Sequence, residues 1–181
     1  GLAAVELGKA MGARVVAGAS SQEKVDLARS HGADEGFVYP RGPLSRDQQK
    51  HLSDEIKRLT GGRGADVLYD PVGGDYSEPA LRAMNWEGRY LVIGFAAGDI
   101  PRIPLNLTLL KSCDIRGVFW GAFTARDPKR NREHLGEIMR WVMEGKLKPH
   151  ISARFPLARA GEAIRMLADR KAQGKVVVTM E

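Results

Sequence analysis

The sequence predicts an α/β fold with a doubly wound parallel sheet. Along its 181 residues, apolar runs of strand length alternate with helical segments of roughly ten residues. A helix between two consecutive strands acts as a crossover connection, so these strands are expected to run parallel. The composition, with 43% hydrophobic and 28% charged residues, is that of a folded domain and excludes a disordered or fibrous chain.

Apolar spacing, polar helix starts and glycine stops predict each element in turn. Ser20 and Glu23 have the spacing of a capping box, which predicts a helix start at this point. The predicted helices are 2–11, 20–30, 46–59, 78–84, 105–111, 131–144 and 160–171. The predicted strands are 13–19, 36–39, 66–70, 89–95, 114–120 and 175–180, with a further extended stretch at 151–157.

Charge and cysteine content narrow the function classes. The net charge of +6 is spread along the chain without interleaved aromatic residues, so nucleic-acid binding is not expected. Cys113 is the single cysteine, which excludes an internal disulfide and a cysteine-rich zinc site and favours the cytoplasm. The longest apolar runs are far shorter than the roughly 20 residues of a membrane span, so no membrane partner is expected.

The carboxyl ends of the predicted strands indicate the ligand site, because open parallel sheets bind ligands there. Gly1 stands at a helix entrance, where a pyrophosphate needs close approach to the backbone. No acid occurs from residue 13 to 22, although a fold that prefers NAD usually places Asp or Glu in this region. Ser20, Ser21 and Lys24 therefore predict a site for a 2′-phosphate, with simple helix capping and a solvated lysine as the alternative.

Three further strand ends carry aromatic or glycine residues that suit a dinucleotide. Tyr39 closes a strand and would lie beside the ribose or phosphate, unless it is an ordinary surface residue. Ile93, Gly94 and Phe95 end another strand, where backbone groups can bond a carboxamide. Phe119 and Trp120 suit a flat ring, although core packing or a subunit contact is equally compatible.

Several catalytic motifs are missing from the sequence. No tyrosine is followed four residues later by a lysine, and there is no Gly-x-Ser-x-Gly elbow and no Walker loop. The four histidines, at positions 31, 51, 134 and 150, lack metal-ligand spacing. The residues thus identify no proton donor, nucleophile or metal ligand, and the catalytic residues stay unknown.

Taken together, the motifs resemble the zinc-free quinone oxidoreductase (zeta-crystallin-like) branch of the medium-chain dehydrogenase/reductase superfamily. The resemblance covers nearly the whole chain. It rests on GLAAVELGKAMGARVVAGASSQEK with HGADEGFVY, LTGGRGADVLYDPVGG, GRYLVIGFAAG, LLKSCDIRGVFWG, and the tail GKLKPHISARFPLARAGEAIRML with GKVVVTM. These motifs follow one another in the order of the family's cofactor domain.

The resemblance implies a Rossmann-type fold and NADPH as the cofactor. Gly1 then matches the last glycine of the cofactor loop, and Ser20, Ser21, Lys24 and Tyr39 match the 2′-phosphate side. Val72 lies beside the adenosine and ribose in the family. The positions that line the nicotinamide half are Ile93, Gly94, Phe95, Val118, Phe119 and Trp120, with Lys175 as a further neighbour.

The implied activity is metal-free hydride transfer from NADPH to a small-molecule quinone or activated alkene (enone). Two alternatives stay open at this point: an enoyl-thioester reductase domain, and a non-catalytic NADPH-binding module. The stretch Asp114–Trp120 resembles the edge strand through which these enzymes form homodimers, and an apolar edge needs covering.

The resemblance also predicts the domain organisation. Residues 1–124 would form a dinucleotide-binding domain truncated at its N-terminus. Residues 125–181 would add C-terminal helices and a final strand that return toward an absent catalytic domain. The sheet order 3-2-1-4-5-6 places the strand before Gly1 at its centre, so we expect a sheet without its first strand and a native protein of roughly twice this length.

Overall fold

A computed structural model of the chain describes residues 1–169 and 171–180. The helices are α1 (Leu2–Ala10), α2 (Gln22–Ser30), α3 (Arg46–Leu59), α4 (Ser77–Arg82), α5 (Asn106–Lys111), α6 (Trp120–Arg126), α7 (Pro128–Met143) and α8 (Ala160–Ala168). The strands are β1 (Val16–Ala19), β2 (Glu35–Val38), β3 (Ala65–Asp70), β4 (Met84–Val92), β5 (Asp114–Gly117), β6 (Ile151–Pro156) and β7 (Lys175–Thr179). Short 3-10 helices cover Gly74–Tyr76 and Leu157–Arg159.

The strands form three separate parallel sheets. β1 pairs with β2, β3 with β4, β4 with β5, and β6 with β7. The sequence β2-β1 followed by β3-β4-β5 is the order 3-2-1-4-5-6 with its first strand left out. The prediction of a Rossmann-type α/β fold is therefore confirmed, and within the described residues no strand pairs with both β1 and β3.

Side-chain hydrogen bonds connect the part of the chain around β1 and β2 with the part around β3, β4 and β5. At the carboxyl edge, the Tyr76 hydroxyl donates to the Pro40 carbonyl at 2.9 Å, and the Leu44 amide donates to Asp75 Oδ2 at 2.9 Å. At the opposite edge, Arg14 Nη1 donates to the Leu59 carbonyl at 2.5 Å. The main apolar core lies between these edges and comprises Leu44, Leu52, Ile56, Ala80, Leu81, Ala83, Met84, Tyr90, Leu107 and Cys113.

The C-terminal segment that contains β6, α8 and β7 contacts helix α2 and the residue that follows it. The rings of His150 and His31 meet edge to face at 5.3 Å, and Gln173 Nε2 donates to Glu23 Oε1 at 2.7 Å. His31 is itself bonded to the buried Glu6, with 2.8 Å between Nδ1 and Oε1. These contacts cross the predicted boundary at residue 124, and the division into two units stays a prediction.

Several element boundaries differ from the predicted ones, among them both ends of the predicted strand 89–95, which the structure has as Met84–Val92. The predicted strand 114–120 ends at Gly117, and Trp120 begins α6, a helix that the apolar pattern did not reveal. The predicted helix 131–144 begins at Pro128, because Asp127 caps it by accepting from the Arg130 amide at 3.0 Å. The predicted helix 160–171 ends at Ala168, and position 170 lies outside the described residues.

Among the described residues, no helix combines the length and the apolar character that crossing a membrane requires.

Candidate functional site

The loops that follow strands β1 to β5 carry most of the predicted site residues. Ser20 and Ser21 follow β1, Tyr39 follows β2, and Val72 follows β3. The residues Ile93, Gly94 and Phe95 follow β4, and Val118, Phe119 and Trp120 follow β5. Because the strands in each sheet are parallel, these loops share the carboxyl edge, as the sequence predicted.

The part of this edge after β1 presents polar groups that have no partner among the described residues. Ser21 is the N-cap residue of α2 in an extended conformation, but its side chain makes no capping bond. Within the described residues, the Ser20 and Ser21 hydroxyls and the Lys24 ammonium have neither a hydrogen-bond partner nor an ion-pair partner. Together with the free amides at the start of a nine-residue helix, they suit an anion.

The predicted capping box of Ser20 and Glu23 is wrong. The helix begins at Gln22, so Ser20 lies one residue before the N-cap and does not have the required position. The Glu23 carboxylate accepts a bond from Gln173 Nε2 instead. Both hydroxyls are therefore left for another ligand.

Tyr39 is half-buried and packs mainly against protein. Its ring lies 5.0 Å from that of Tyr76, and its amide donates to the Ala19 carbonyl at 2.9 Å. Burial raises the pKa of the Tyr39 phenol, and the nearby Tyr76 and Asp70 raise it further. The structure therefore gives Tyr39 a packing role between the two sheets, beside its predicted one.

Gly1 and Lys175 lie near each other at the entrance of α1. The Gly1 carbonyl accepts from the amides of Ala4 and Val5, at 3.0 and 3.3 Å, and so opens the helix. Lys175 lies close enough for its positive charge to act at Gly1. Two residues at opposite ends of the sequence are thus brought to the same helix entrance.

The loops after β3 and β4 are joined to each other by backbone hydrogen bonds. The Asp70 carbonyl accepts from the Ile93 amide at 2.9 Å and from the Gly94 amide at 3.3 Å. Further along, the Ala96 amide donates to Pro71 at 3.1 Å, and the Ala97 amide donates to Val72 at 2.8 Å. The predicted neighbours of the nicotinamide therefore lie on one continuous backbone surface with Val72.

Gly73 allows these two loops to approach closely. Its φ is +71°, in a region that L side chains rarely adopt. A Cβ at this position would lie 2.9 Å from Phe95 Cδ1. The Phe95 side chain, 40% exposed, rests against the glycine and faces the open edge.

Val118, Phe119 and Trp120 belong to the predicted strand 114–120 but follow the observed strand β5, which ends at Gly117. The Val118 amide donates to the Val92 carbonyl at 3.0 Å, which continues the strand register by one residue. Phe119 then caps α6, and the Phe119 and Trp120 side chains are 79% and 64% exposed. Two large aromatic surfaces therefore stand open beside the loops that follow β4.

The buried Asp70 carboxylate is the group that the sequence analysis missed. One oxygen, Oδ1, accepts from the amides of Val72 at 2.8 Å and Gly73 at 3.0 Å. The other, Oδ2, accepts from the Ser77 hydroxyl at 2.9 Å and from the Tyr90 hydroxyl. Burial and the bond to Asp70 raise the pKa of the Tyr90 phenol, so this hydroxyl stays a donor.

A signal for Asp70 was present in the sequence. It is the last residue of a buried strand and stands directly before Pro71, Val72 and Gly73, at the edge where ligands bind. What the sequence does not show is the partner Tyr90, which lies 20 residues further along the chain.

The chain was compared with protein families. A family model described as zinc-binding dehydrogenase matches residues 1–139. The chain belongs to this family. The predicted place in the medium-chain dehydrogenase/reductase superfamily, among its quinone oxidoreductases, is thereby confirmed.

Individual relatives agree with this assignment. The chain is 39% identical over 180 residues to a quinone oxidoreductase-like protein 2 homolog from Nematostella vectensis, covering 98% of this chain and 47% of that protein. It also matches the structure of mycobacterial Rv1454c complexed with NADPH, with a TM-score of 0.84 and 26% identity, over 98% of this chain and 53% of that one. The chain spans about half the length of the curated relatives it matches.

A further similar structure is that of an NAD-dependent alcohol dehydrogenase. Its TM-score is 0.78 at 32% identity, over 99% of this chain and 48% of that one. Similar structures thus include one with NADPH and one described as NAD-dependent. The choice of cofactor in this chain must therefore be argued from its own residues.

The description of the family model mentions zinc, so we looked among the described residues for side chains that could bind it. No group of three or more His, Cys, Asp or Glu side chains in residues 1–169 and 171–180 could hold a metal ion. Cys113, the single cysteine, is buried in the apolar core, and His31 is engaged by Glu6. The described part of the chain thus offers no cluster of three or more such side chains for zinc.

Proposed function

We propose that the chain is the cofactor-binding part of an NADPH-dependent oxidoreductase that reduces a quinone or an activated alkene. The observation that carries the proposal is the polar cluster of Ser20, Ser21 and Lys24 at the start of α2. All three side chains lack partners among the described residues, and no acid stands at the end of β1. Such a cluster suits the 2′-phosphate that distinguishes NADPH from NADH.

The described residues fit the rest of this cofactor. The entrance of α1 at Gly1 is free of side chain and lies near the positive Lys175, which suits the pyrophosphate. The loop after β4 offers the backbone of Gly94 and the ring edge of Phe95 to the nicotinamide. When bound, NADPH supplies the hydride, since its dihydronicotinamide carries the redox chemistry.

The role of the chain in this proposal is to hold the ring in place and to exclude water. The backbone of Ile93 and Gly94, fixed by the Asp70 carbonyl, sets the plane on which the ring rests. On the side of β5, the nicotinamide ring would be covered by the exposed side chains of Val118, Phe119 and Trp120. The metal-free course of the reaction is part of this proposal.

The same proposal includes a homodimer and a cytoplasmic protein. The edge strand β5 is exposed at all four positions and, among the described residues, pairs with β4 alone. Pairing of Asp114–Gly117 with a second copy would cover this edge. Because β5 ends at Gly117, this pairing would not involve Val118, Phe119 and Trp120. These three residues then remain available to the cofactor.

Titration of the cofactors tests the proposal. NADPH and NADH are titrated into the full-length protein and into Lys24→Ala, with Lys50→Ala on α3 as a matched control at an exposed, remote lysine. A charge-assisted bond to phosphate predicts roughly tenfold weaker NADPH binding in Lys24→Ala only, with NADH unchanged. Tighter binding of NADH by the wild type, or equal NADPH affinity in both variants, would contradict the cofactor assignment.

Turnover separates the substrate classes. The full-length protein is assayed with NADPH and either a quinone or an enoyl-CoA, the second being the substrate of an enoyl-thioester reductase. Faster NADPH oxidation with the quinone supports the proposal, and faster oxidation with the enoyl-CoA favours the alternative. Binding of NADPH without turnover of either would indicate a non-catalytic module.

A further inference from the structure

The Asp70 carboxylate is a buried acidic group for which the proposed function has no use. Asp70 is 8% exposed, and its two donors Ser77 and Tyr90 are 2% and 4% exposed. A carboxylate is removed from water at a high cost in free energy unless its lone pairs are satisfied. Here four donors satisfy it, two from backbone and two from side chains.

These four donors come from separate segments of the fold. Val72 and Gly73 belong to the loop after β3, Ser77 begins α4, and Tyr90 lies in β4. The carboxylate therefore ties a loop, a helix start and a neighbouring strand to one point. Side-chain networks of this kind restrict a structure to one arrangement when every member is satisfied.

The backbone of the same residue holds the second loop. The Asp70 carbonyl accepts from Ile93 and Gly94, and the following carbonyls of Pro71 and Val72 accept from Ala96 and Ala97. Gly73, held by Asp70 Oδ1, is the surface against which Phe95 packs. A rotation of the 70–73 turn would thus displace the whole stretch 93–97.

We propose that Asp70 is a positioning residue that holds the loops after β3 and β4 in register, so that Gly94 and Phe95 are set for the nicotinamide before it arrives. This inference rests on the proposed function for its ligand, but the coupling of the loops is independent of it. Asp70 itself is buried. It acts through Gly73 and the backbone of residues 93–97.

The experiment uses the full-length protein and the variants Asp70→Asn, Tyr90→Phe and Tyr69→Phe. In Asp70→Asn the side chain keeps an oxygen for the amides of Val72 and Gly73 but turns a donor toward Ser77 and Tyr90, so the fold is expected to survive. Tyr90→Phe removes one donor from Oδ2. Tyr69 is the matched control, because it precedes Asp70 in the chain, is 46% exposed and makes no hydrogen bond through its hydroxyl among the described residues.

Two readouts distinguish a positioning role from general loss of structure. The first compares the Kd of NADPH with that of 2′-phospho-AMP, a fragment without nicotinamide. Asp70→Asn and Tyr90→Phe are expected to weaken NADPH by roughly tenfold and the fragment by less than about twofold. Tyr69→Phe should change neither.

The second readout is amide hydrogen exchange, which needs no cofactor. In both Asp70→Asn and Tyr90→Phe the amides of residues 93–97 should exchange roughly tenfold faster, while the Tyr39 amide, bonded to Ala19, keeps its rate. Equal acceleration at both places, or rates equal to those of Tyr69→Phe, would overturn the inference. If the wild type bound no NADPH, the proposed function would fail, and selective exchange at 93–97 would still establish the coupling.

Discussion

The two halves of the carboxyl edge treat their polar groups in opposite ways. Beside β1, the side chains of Ser20, Ser21 and Lys24 are left without protein partners among the described residues. Beside β3, the Asp70 carboxylate is surrounded by four donors. Free groups at a helix start recognise a ligand, because their hydrogen-bonding capacity is unused. Saturated groups in the interior hold a backbone in place.

This comparison explains why the sequence revealed the residues beside β1 but not the Asp70 network beside β3. The proposed recognition residues are close in sequence: they stand within five positions, and the absence of an acid among them is visible in the sequence. A positioning network is assembled from residues distant in sequence, so its members have no common pattern. The comparison also predicts that substitutions around Asp70, beside β3, lower the free energy of unfolding. Substitutions of Ser20, Ser21 or Lys24, beside β1, should instead change the relative affinity for NADPH and NADH.

The largest effect is expected from Asp70→Ala. Removal of the carboxylate leaves the amides of Val72 and Gly73 without an acceptor, so the free energy of unfolding should fall by about 3 kcal/mol or more. Urea denaturation measures this loss. Asp66→Ala is the control, because Asp66 lies in the same strand but is exposed and accepts one bond, from Asn85 Nδ2 at 2.7 Å. An equal loss in both variants would remove the contrast between the two halves.

A change in ligand choice is expected from Ser20→Asp. A carboxylate at the end of β1 repels a 2′-phosphate and can accept from a 2′-hydroxyl, so the ratio of NADPH to NADH affinity should fall by roughly tenfold or more. Fluorescence titration of the full-length protein gives both constants.

Ser45→Asp serves as the control for Ser20→Asp. Ser45 caps α3 in a capping box with Gln48 and is not among the predicted cofactor residues, so the same carboxylate there is expected to leave the ratio unchanged. An unchanged ratio in Ser20→Asp itself would show that β1 does not read the 2′ position. A changed unfolding free energy with no change in ratio would assign this residue to structure instead.

A smaller effect is expected from Gly73→Ala, and comparison with Gly98→Ala separates the cost of backbone strain from the loss of the contact with Phe95. Alanine at Gly73 or at Gly98 meets a positive φ in both cases, +71° and +104°. Only at Gly73 would the new Cβ meet another atom, Phe95 Cδ1. Each variant should therefore lose about 1–3 kcal/mol of stability, while Gly73→Ala alone should also weaken NADPH binding. Equal NADPH affinities in the two would contradict a role for the Gly73–Phe95 contact.

The smallest effect concerns pH and an exposed ion pair. A hydrogen bond from Lys9 lowers the pKa of the Asp34 carboxyl below its ordinary 3.8, and a bond from the Val15 amide lowers it further. Because the folded pKa is depressed, the contribution is present above the ordinary value and is lost as pH falls through the folded one. The urea midpoint of Asp34→Asn should therefore fall less than that of the wild type below about pH 4. If the urea midpoints of the wild type and of Asp34→Asn fell equally with decreasing pH, the ion pair would contribute nothing measurable to stability.

The sequence by itself determined the fold class, and it predicted the edge of the sheet at which a cofactor would bind. Apolar periods and glycine stops are local properties, and the parallel order follows from the helical crossovers. An apolar run does not by itself distinguish a strand from a helix. The run 114–120 was therefore predicted as one strand, whereas the structure divides it into β5 and the start of α6.

Only the tertiary structure decided what surrounds Asp70 and which ends of the chain meet. Tyr90 reaches Asp70 because β4 lies beside β3, and Gln173 reaches Glu23 across 150 positions. Gly1 and Lys175 meet for the same reason. Such contacts arise from the folding of the whole chain. No residue spacing encodes them, since their free energy is gained only when distant elements pack together.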